Sequence, residues 1–333
     1  MYDLRVRGLH NLGSLDLASL GTTCGLSDED VRRLLDPEDV VSAIERGFGT
    51  EYESFVAPVR QHVETRDGVF LSMPCYNRAT GRLGVKFVAV AKQALTATVQ
   101  ASYVLFDAAS AEPQIFVAAN WLTDLRTAAA SFLATKFLAR KDARVLGIFG
   151  TGRQACAHVN VFTALRKFES VLICGASSEN SRRFIKNFCR DLDVPAEAVG
   201  AEECARRADI ICTCTTACTP LFDGRLLRPG THLNLVGAFQ PDCREVDSHT
   251  MGRACVVVDT YAGALSEAGD LLIPMREGVI ARQQVLADLH EMVTHKKSVR
   301  QTSEDITVFK SVGCALEDLA VAELLAAKLE PGK

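Results

Sequence analysis

Apolar positions along this 333-residue chain fall into two regimes. Over residues 56–118 they alternate with polar ones in short runs. The runs are VAPVRQHVE, GVFLSMPCY and LGVKFVAVA, then Tyr103 to Asp107 and Gln114 to Ala118. A period of two predicts strands of a largely antiparallel sheet, with turns at Arg66-Asp67-Gly68 and Ala108 to Pro113. From Val145 onward the apolar runs become continuous: Val145 to Phe149, Val171 to Cys174, Ile210 to Cys214, His232 to Gly237 and Cys255 to Asp259. Unbroken short runs separated by helix-period segments predict buried parallel strands in a doubly wound α/β sheet.

Helices frame both regimes. Leu26 to Phe48 predicts two short helices, with Ser27 as N-cap ahead of Asp30, and Pro37 at the first helical position after Asp36. Thr123 to Leu138, TDLRTAAASFLATKFL, is rich in alanine and predicts a helix that packs closely. Gly313 to Leu329 reads as an amphipathic helix with no strand after it, so it is expected to fold back on the first region. The division that follows is an α+β region of residues 1–122 and 305–333, discontinuous in sequence, and a doubly wound region of residues 123–304. Residues 1–24 read as an extension ahead of this fold, without the character of a transit peptide.

Between the first apolar run of the second regime and its helix lies Gly150-Thr151-Gly152-Arg153-Gln154-Ala155. This fits the dinucleotide pattern G-x-G-x-x-G/A. Gly150 allows the tight turn, Gly152 lets a pyrophosphate approach the backbone, and Ala155 lets helix and strand pack closely. The free N–H groups of the helix start and the helix dipole favour phosphate. Alone the pattern also suits a glycine-rich turn that binds nothing; the repeated strands around it are what favour a nucleotide. Thr215, Val236 and Gly237 follow the third and fourth strands, on the rim where such sheets bind ligands.

Composition narrows the partners. Net charge is −4 and charged residues are 23%, so neither nucleic acid nor an anionic membrane is expected. No apolar run approaches the ~18–20 residues of a membrane span. The 12 cysteines are scattered and follow no secretory signal, which predicts reduced, buried thiols in a cytoplasmic protein. Cys212, Cys214 and Cys218 lie close in sequence but lack zinc-ligand spacing, so no metal is expected.

Three cations sit in apolar surroundings: Arg60 in APVRQ, Lys86 in LGVKFVAV and Arg126 in LTDLRTAAA. Each either meets a structural carboxylate or serves a ligand. Together, ahead of a nucleotide fold, they suggest a pocket for a carboxylate-bearing substrate. Arginine binds carboxylate bidentately, and a desolvated lysine can donate a proton near neutral pH.

These pieces add up to a resemblance. SDEDVRRLLDPEDVVSAIERGF, PVR, Met73-Pro74, LGVK, LTDLRTAAAS, GTGRQA, PGTHLNLVGAF, EAGDL and DITVFKSVG span most of the chain from Leu26 to Leu329. In them the sequence resembles the ornithine cyclodeaminase/mu-crystallin family. The resemblance implies a Rossmann domain for NAD(P) and an α+β domain that makes a homodimer. By position it implies that Arg60, Lys86 and Arg126 hold the substrate carboxylate, with Lys86 also near the reacting carbon and nitrogen, and that Ser311 and Gly313 lie by the nicotinamide.

Cyclodeaminases of this family carry an aspartate two residues after the glycine that matches Gly237. Here that position is Phe239, which takes no proton and holds no amine. Asp242 is the nearby acid that a shifted loop would bring in. The sequence therefore resembles the branch of ketimine and pyrroline-2-carboxylate reductases, acting on a small imino or amino acid. Ornithine cyclodeamination, amino-acid dehydrogenation and non-enzymatic NADP and ligand binding are the alternatives. At the second strand end the aligned residue is Ala176, and Ser177, Ser178 and Arg182 follow. Hydroxyls and a cation there suit a 2′-phosphate, so NADP is expected, with NAD possible.

Overall fold

The protein is described here by a computed structural model covering residues 24–91 and 98–329. The expected N-terminal extension lies, apart from Cys24, outside the described residues. The chain enters on β1 (Cys24–Leu26), followed by α1 (Asp28–Leu34) and α2 (Pro37–Gly49). Leu26 thus ends a strand rather than starting a helix, because residues 24–26 pair in parallel with Ile115 to Val117. Ser27 then caps α1: its Oγ accepts from the Asp30 N–H, and the Asp30 carboxylate accepts from the Ser27 N–H at 2.9 Å. Asp36 caps α2 with Pro37 at its start.

Six strands follow: β2 (Phe55–Val56), β3 (Gln61–Thr65), β4 (Gly68–Asn77), β5 (Arg82–Ala91), β6 (Thr98–Asp107) and β7 (Pro113–Ala118). Their order is β1-β7-β6-β5-β4, with β2 and β3 both on β4. All these pairs are antiparallel except β1 with β7. Alternation gives the sheet two faces. Leu71, Met73 and Cys75 on β4 and Lys86 and Val88 on β5 are buried on the helix side. The opposite face carries Phe70 and Phe116, both exposed, and Phe70 stacks on Phe87 with ring centroids 5.7 Å apart.

The long helix α3 (Asn120–Leu138) links the two halves and is buried along most of its length. Its run Ala128-Ala129-Ala130 is small enough to be enclosed on every side. The second half contains β8 (Val145–Phe149), α4 (Arg153–Leu165), β9 (Ser170–Cys174), α5 (Ser178–Phe188), β10 (Ala196–Ala198), α6 (Ala201–Arg207), β11 (Ile210–Thr213) and β12 (His232–Leu235). It continues with α7 (Ser248–Arg253), β13 (Ala254–Val258), α8 (Tyr261–Glu267), α9 (Gly269–Arg276), β14 (Val285–Asp288), α10 (Leu289–Val293), β15 (Ile306–Lys310) and α11 (Ala315–Leu329). Eight strands form one parallel sheet in the order β10-β9-β8-β11-β12-β15-β13-β14. The chain winds outward from β8 through β9 to β10, then returns to the other side at β11. The switch point therefore lies between β8 and β11.

One expected boundary is corrected. Residues 306–310 belong to the parallel sheet, between β12 and β13, and not to the first region. The run ITVFK is buried at every residue, as a central parallel strand must be. Only α11 returns, packing on α2, α3, β4 and β5. It starts at Ala315 rather than Gly313. It is also not simply amphipathic: Glu317 and Asp318 are buried in it beside Leu319, Val321 and Leu325.

Candidate active site

Parallel register puts Phe149, Thr213, Leu235 and Lys310 side by side at one end of the sheet. The residues just beyond them share one rim: Gly150, Thr215, Gly237 and Ser311. Gly150 has φ 113° and stands where a Cβ would come within 2.5 Å of the Cys214 carbonyl oxygen, so this turn requires glycine. Gly152 is the N-cap of α4 and brings no side-chain cap, and a Cβ there would meet nothing within 4 Å. Open space beside an uncapped helix start fits a pyrophosphate. Ala155 is fully buried, packing the helix onto the sheet. Arg153 Nε and Gln154 Nε2 both donate to Asp124 of α3, at 2.8 and 3.0 Å. Thr151 packs its methyl toward Gly175, at the end of the next strand.

Glu245 knits the middle of the rim. Its carboxylate accepts from Thr215 N–H (2.9 Å), Thr215 Oγ (2.6 Å), Thr213 Oγ (2.7 Å), Gly237 N–H (2.8 Å) and Ala238 N–H (3.2 Å). The Val236 N–H donates to the Thr213 carbonyl at 3.1 Å. Glu245 is fully buried, and burial raises its pKa against the pull of these donors. The same two loops are joined covalently by Cys218–Cys243, which corrects the expectation of thiols only. The reason is positional: Cys212 is buried on β11, whereas Cys218 lies past the strand end on an exposed loop beside the loop that follows β12.

At the end of β9 no acid stands at Ala176. Ser177 Oγ is taken up as the N-cap of α5, accepting from the Asn180 N–H at 3.1 Å. Arg182 Nη2 donates to Ser178 Oγ at 3.3 Å, and both residues are exposed.

The three cations converge on the segment 312–318. Lys86, on the buried face of β5, places Nζ 2.8 and 2.7 Å from the two Asp318 carboxylate oxygens. Arg126, on α3, has Nε 3.0 Å from Asp318 Oδ1 and Nη1 2.5 Å from Glu317 Oε2. Arg60, just ahead of β3, donates through Nε to Glu267 (3.0 Å) and through Nη2 to the Val312 carbonyl (2.8 Å). Asp259 fixes the same turn by accepting from Val312 N–H and Gly313 N–H, each at 2.7 Å, and from Ser311 Oγ at 3.1 Å. Among the described residues these pairs use Nε and Nη2 of Arg60 and Nε and Nη1 of Arg126, so each guanidinium keeps one Nη outside them.

Burial shapes the charges. Lys86 is 1% exposed, and burial, then the neighbouring Arg126, push its pKa down to about 8. Burial pushes Glu317 up to about 7, against the pull of Arg126. Burial also opposes the charge on Arg126, but Asp318 and Glu317 outweigh it and hold its pKa above the ordinary value. An ammonium that titrates near neutrality beside two anchored guanidinium groups can bind a small carboxylate and donate a proton.

Asp242 is turned away from this cluster: its side chain is 87% exposed and pairs with Arg276 at 3.2 Å, so it does not stand in for an acid at Phe239. Sequence reasoning missed Glu267, Glu317 and Asp318 as the partners of the cations, and Asp124, Asp259 and Glu245 as supports. A signal existed for two of them. Glu317-Asp318 interrupt an otherwise apolar helix, and buried cations need buried anions. Among the described residues no three His, Cys, Asp or Glu side chains gather as a metal site. Among them, too, no helix is long and apolar enough to cross a membrane.

A doubly wound sheet with a glycine turn at its switch point, and a buried cation cluster on the same rim, define a dinucleotide-dependent enzyme of the Rossmann class. The chain belongs to the ornithine cyclodeaminase/mu-crystallin family, whose model matches residues 23–333. It is 36% identical over 280 residues to a Delta(1)-pyrroline-2-carboxylate reductase of Bacillus cereus, covering 82% of this chain and 86% of that protein. It is 35% identical over 281 residues to the ketimine reductase mu-crystallin of Rattus norvegicus, covering 84% and 85%. Among solved structures, Thermococcus litoralis Delta(1)-pyrroline-2-carboxylate reductase in complex with NADH and L-proline superposes with a TM-score of 0.87. That match has 36% identity and covers 92% of this chain and 97% of the other.

Proposed function

We propose that this protein reduces cyclic imino acids of the pyrroline-2-carboxylate and piperideine-2-carboxylate type to the corresponding cyclic amino acids. The observation that carries the reading is the gathering of Arg60, Lys86 and Arg126 around the β15–α11 turn, on the rim that also holds the Gly150 turn. The Nη groups of Arg60 and Arg126 that lie outside these pairs orient the substrate carboxylate. Lys86 gives a proton to the imine nitrogen or a hydrogen bond to the carboxylate. The dinucleotide, when bound, supplies the hydride for the C=N carbon. Fixing the carboxylate fixes that carbon, and proximity accounts for a large share of such a barrier.

Gly150, Thr151, Gly152, Arg153, Gln154 and Ala155 hold the pyrophosphate in this reading. Thr215, Val236 and Gly237 line the middle of the rim, and Ser311 and Gly313 flank the nicotinamide. Ser178 and Arg182 receive the 2′-phosphate of NADP, since no acid occupies Ala176; NAD remains usable. Residues 24–91 and 98–122 with α11 form the substrate side, and 123–310 the nucleotide side. The outer face of the first sheet, with Val63, Phe70 and Phe116 exposed, suits a second copy of the chain, which makes a homodimer.

NADPH and NADH oxidation with both ring sizes tests the reading. Turnover of at least one imine is expected, with Arg182→Ala weakening NADPH and sparing NADH. Absence of turnover with either ring, whichever cofactor is used, contradicts it.

A further inference from the structure

The carboxylate shared by Lys86 and Arg126 has a role beyond neutralising charge. We propose that Asp318 is the positioning residue of the site: it aims the Lys86 ammonium, keeps it protonated, and ties it electrostatically to the Arg126 guanidinium. The inference rests on the imine-reductase reading above.

The geometry carries it. Asp318 is fully buried on the first turn of α11. One carboxylate touches both cations, at 2.8 and 2.7 Å from Lys86 Nζ and 3.0 Å from Arg126 Nε. A lysine stem is flexible, and its ammonium is a point charge without preferred direction. A bridging carboxylate supplies the direction. Glu317 holds Arg126 through Nη1, and neither that contact nor the Asp318 contact uses Nη2. The helix start also favours a negative charge at this position.

The charges around Lys86 on each element packed against it are few. From α11 come Asp318 and Glu317, and from α3 comes Arg126. On β6 the register partner is Tyr103, whose hydroxyl burial holds well above its ordinary pKa. On β4 Cys75 is pushed up to about 12 by burial, and Glu323 of α11 is engaged by Asn77. Burial and Arg126 disfavour the ammonium, and Asp318 opposes them. Without Asp318, Lys86 loses its proton at lower pH.

The experiment is the pH profile of kcat/KM for pyrroline-2-carboxylate with NADPH, in wild type and Asp318→Asn, with both KM values determined. In wild type the rate falls on the alkaline side as Lys86 deprotonates. In Asp318→Asn that limb moves to lower pH by about one unit or more, and the imine KM rises roughly tenfold, while the NADPH KM stays within about twofold. A residue that only supports the fold lowers the active fraction without moving the limb. If Asp318→Asn does not fold, Asp318→Glu keeps the charge and displaces it: the limb stays in place and the imine KM rises roughly fivefold. A wild-type limb together with a wild-type KM, in whichever variant folds, overturns the proposal. A wild type that turns over no cyclic imine overturns the reductase reading and this inference with it.

Discussion

Arg126 lies against Gly313 so closely that a Cβ built on the glycine would stand 2.6 Å from Arg126 Nη1, on a backbone with φ +79°. The glycine is thus what lets a guanidinium from α3 reach the turn between β15 and α11. Gly313→Ala is expected to strain the backbone by about 1–2 kcal/mol and to push the guanidinium aside. The imine KM should rise, and NADPH binding should weaken by a smaller factor because the same turn flanks the nicotinamide. Thermal melting and initial rates check both, and an unchanged imine KM would place Arg126 outside the substrate's reach.

Glu245 makes a separate prediction, for the nucleotide side alone. Four donors from the loops after β11 and β12, and Thr213 Oγ at the end of β11, meet on its carboxylate. Glu245→Ala leaves them without it, which weakens NADPH binding by roughly tenfold. At saturating cofactor the imine KM should stay as in wild type. Fluorescence titration of NADPH is the direct check. The Cys218–Cys243 bridge still joins the two loops in the variant, and circular dichroism checks that it is folded.

Much of this was legible from the pattern of apolar residues. Continuous runs marked the parallel strands, and the glycine turn marked the nucleotide end of the sheet. The central place of β15 was not, because order along the chain does not reveal order in a sheet: residues 306–310 come after β13 and β14 but insert between β12 and β13. The cations stood out as charges in apolar strands and helices. Their anions did not, since Glu267 and Glu317-Asp318 lie far along the chain and read as ordinary helix charges until packing encloses them. Cys218 misled for a related reason, as strand alternation stops at Thr213 and burial cannot be extended past it.

Glu317 gives a pH signature of stability. Burial raises its folded-state pKa from 4.5 to about 7, so the folded protein binds more protons than the unfolded chain between those values. Its contribution is therefore fully present below pH 4.5 and is lost as pH rises through about 7. Glu317→Gln, which has no proton to lose, should flatten this part of the curve. Urea denaturation across the window measures it, and an identical pH slope in the variant would show that Glu317 stays charged.

Ornithine separates the branches of the family. Phe239 carries no acid, and Asp242 is held outward by Arg276. Ornithine with NAD should therefore release no ammonia above background, in an assay where a cyclic imine is reduced. Stoichiometric ammonia and proline would show that another group supplies the missing acid.

The most direct test follows the hydride itself. Wild-type protein is given pyrroline-2-carboxylate and NADPH deuterated on the transferring face of the nicotinamide, and the product is read by mass spectrometry and NMR. The account predicts proline with a single deuterium at its α-carbon, and little such product from Arg60→Ala or Lys86→Ala. Proline without deuterium, or labelled proline formed at wild-type rates by both variants, would contradict it.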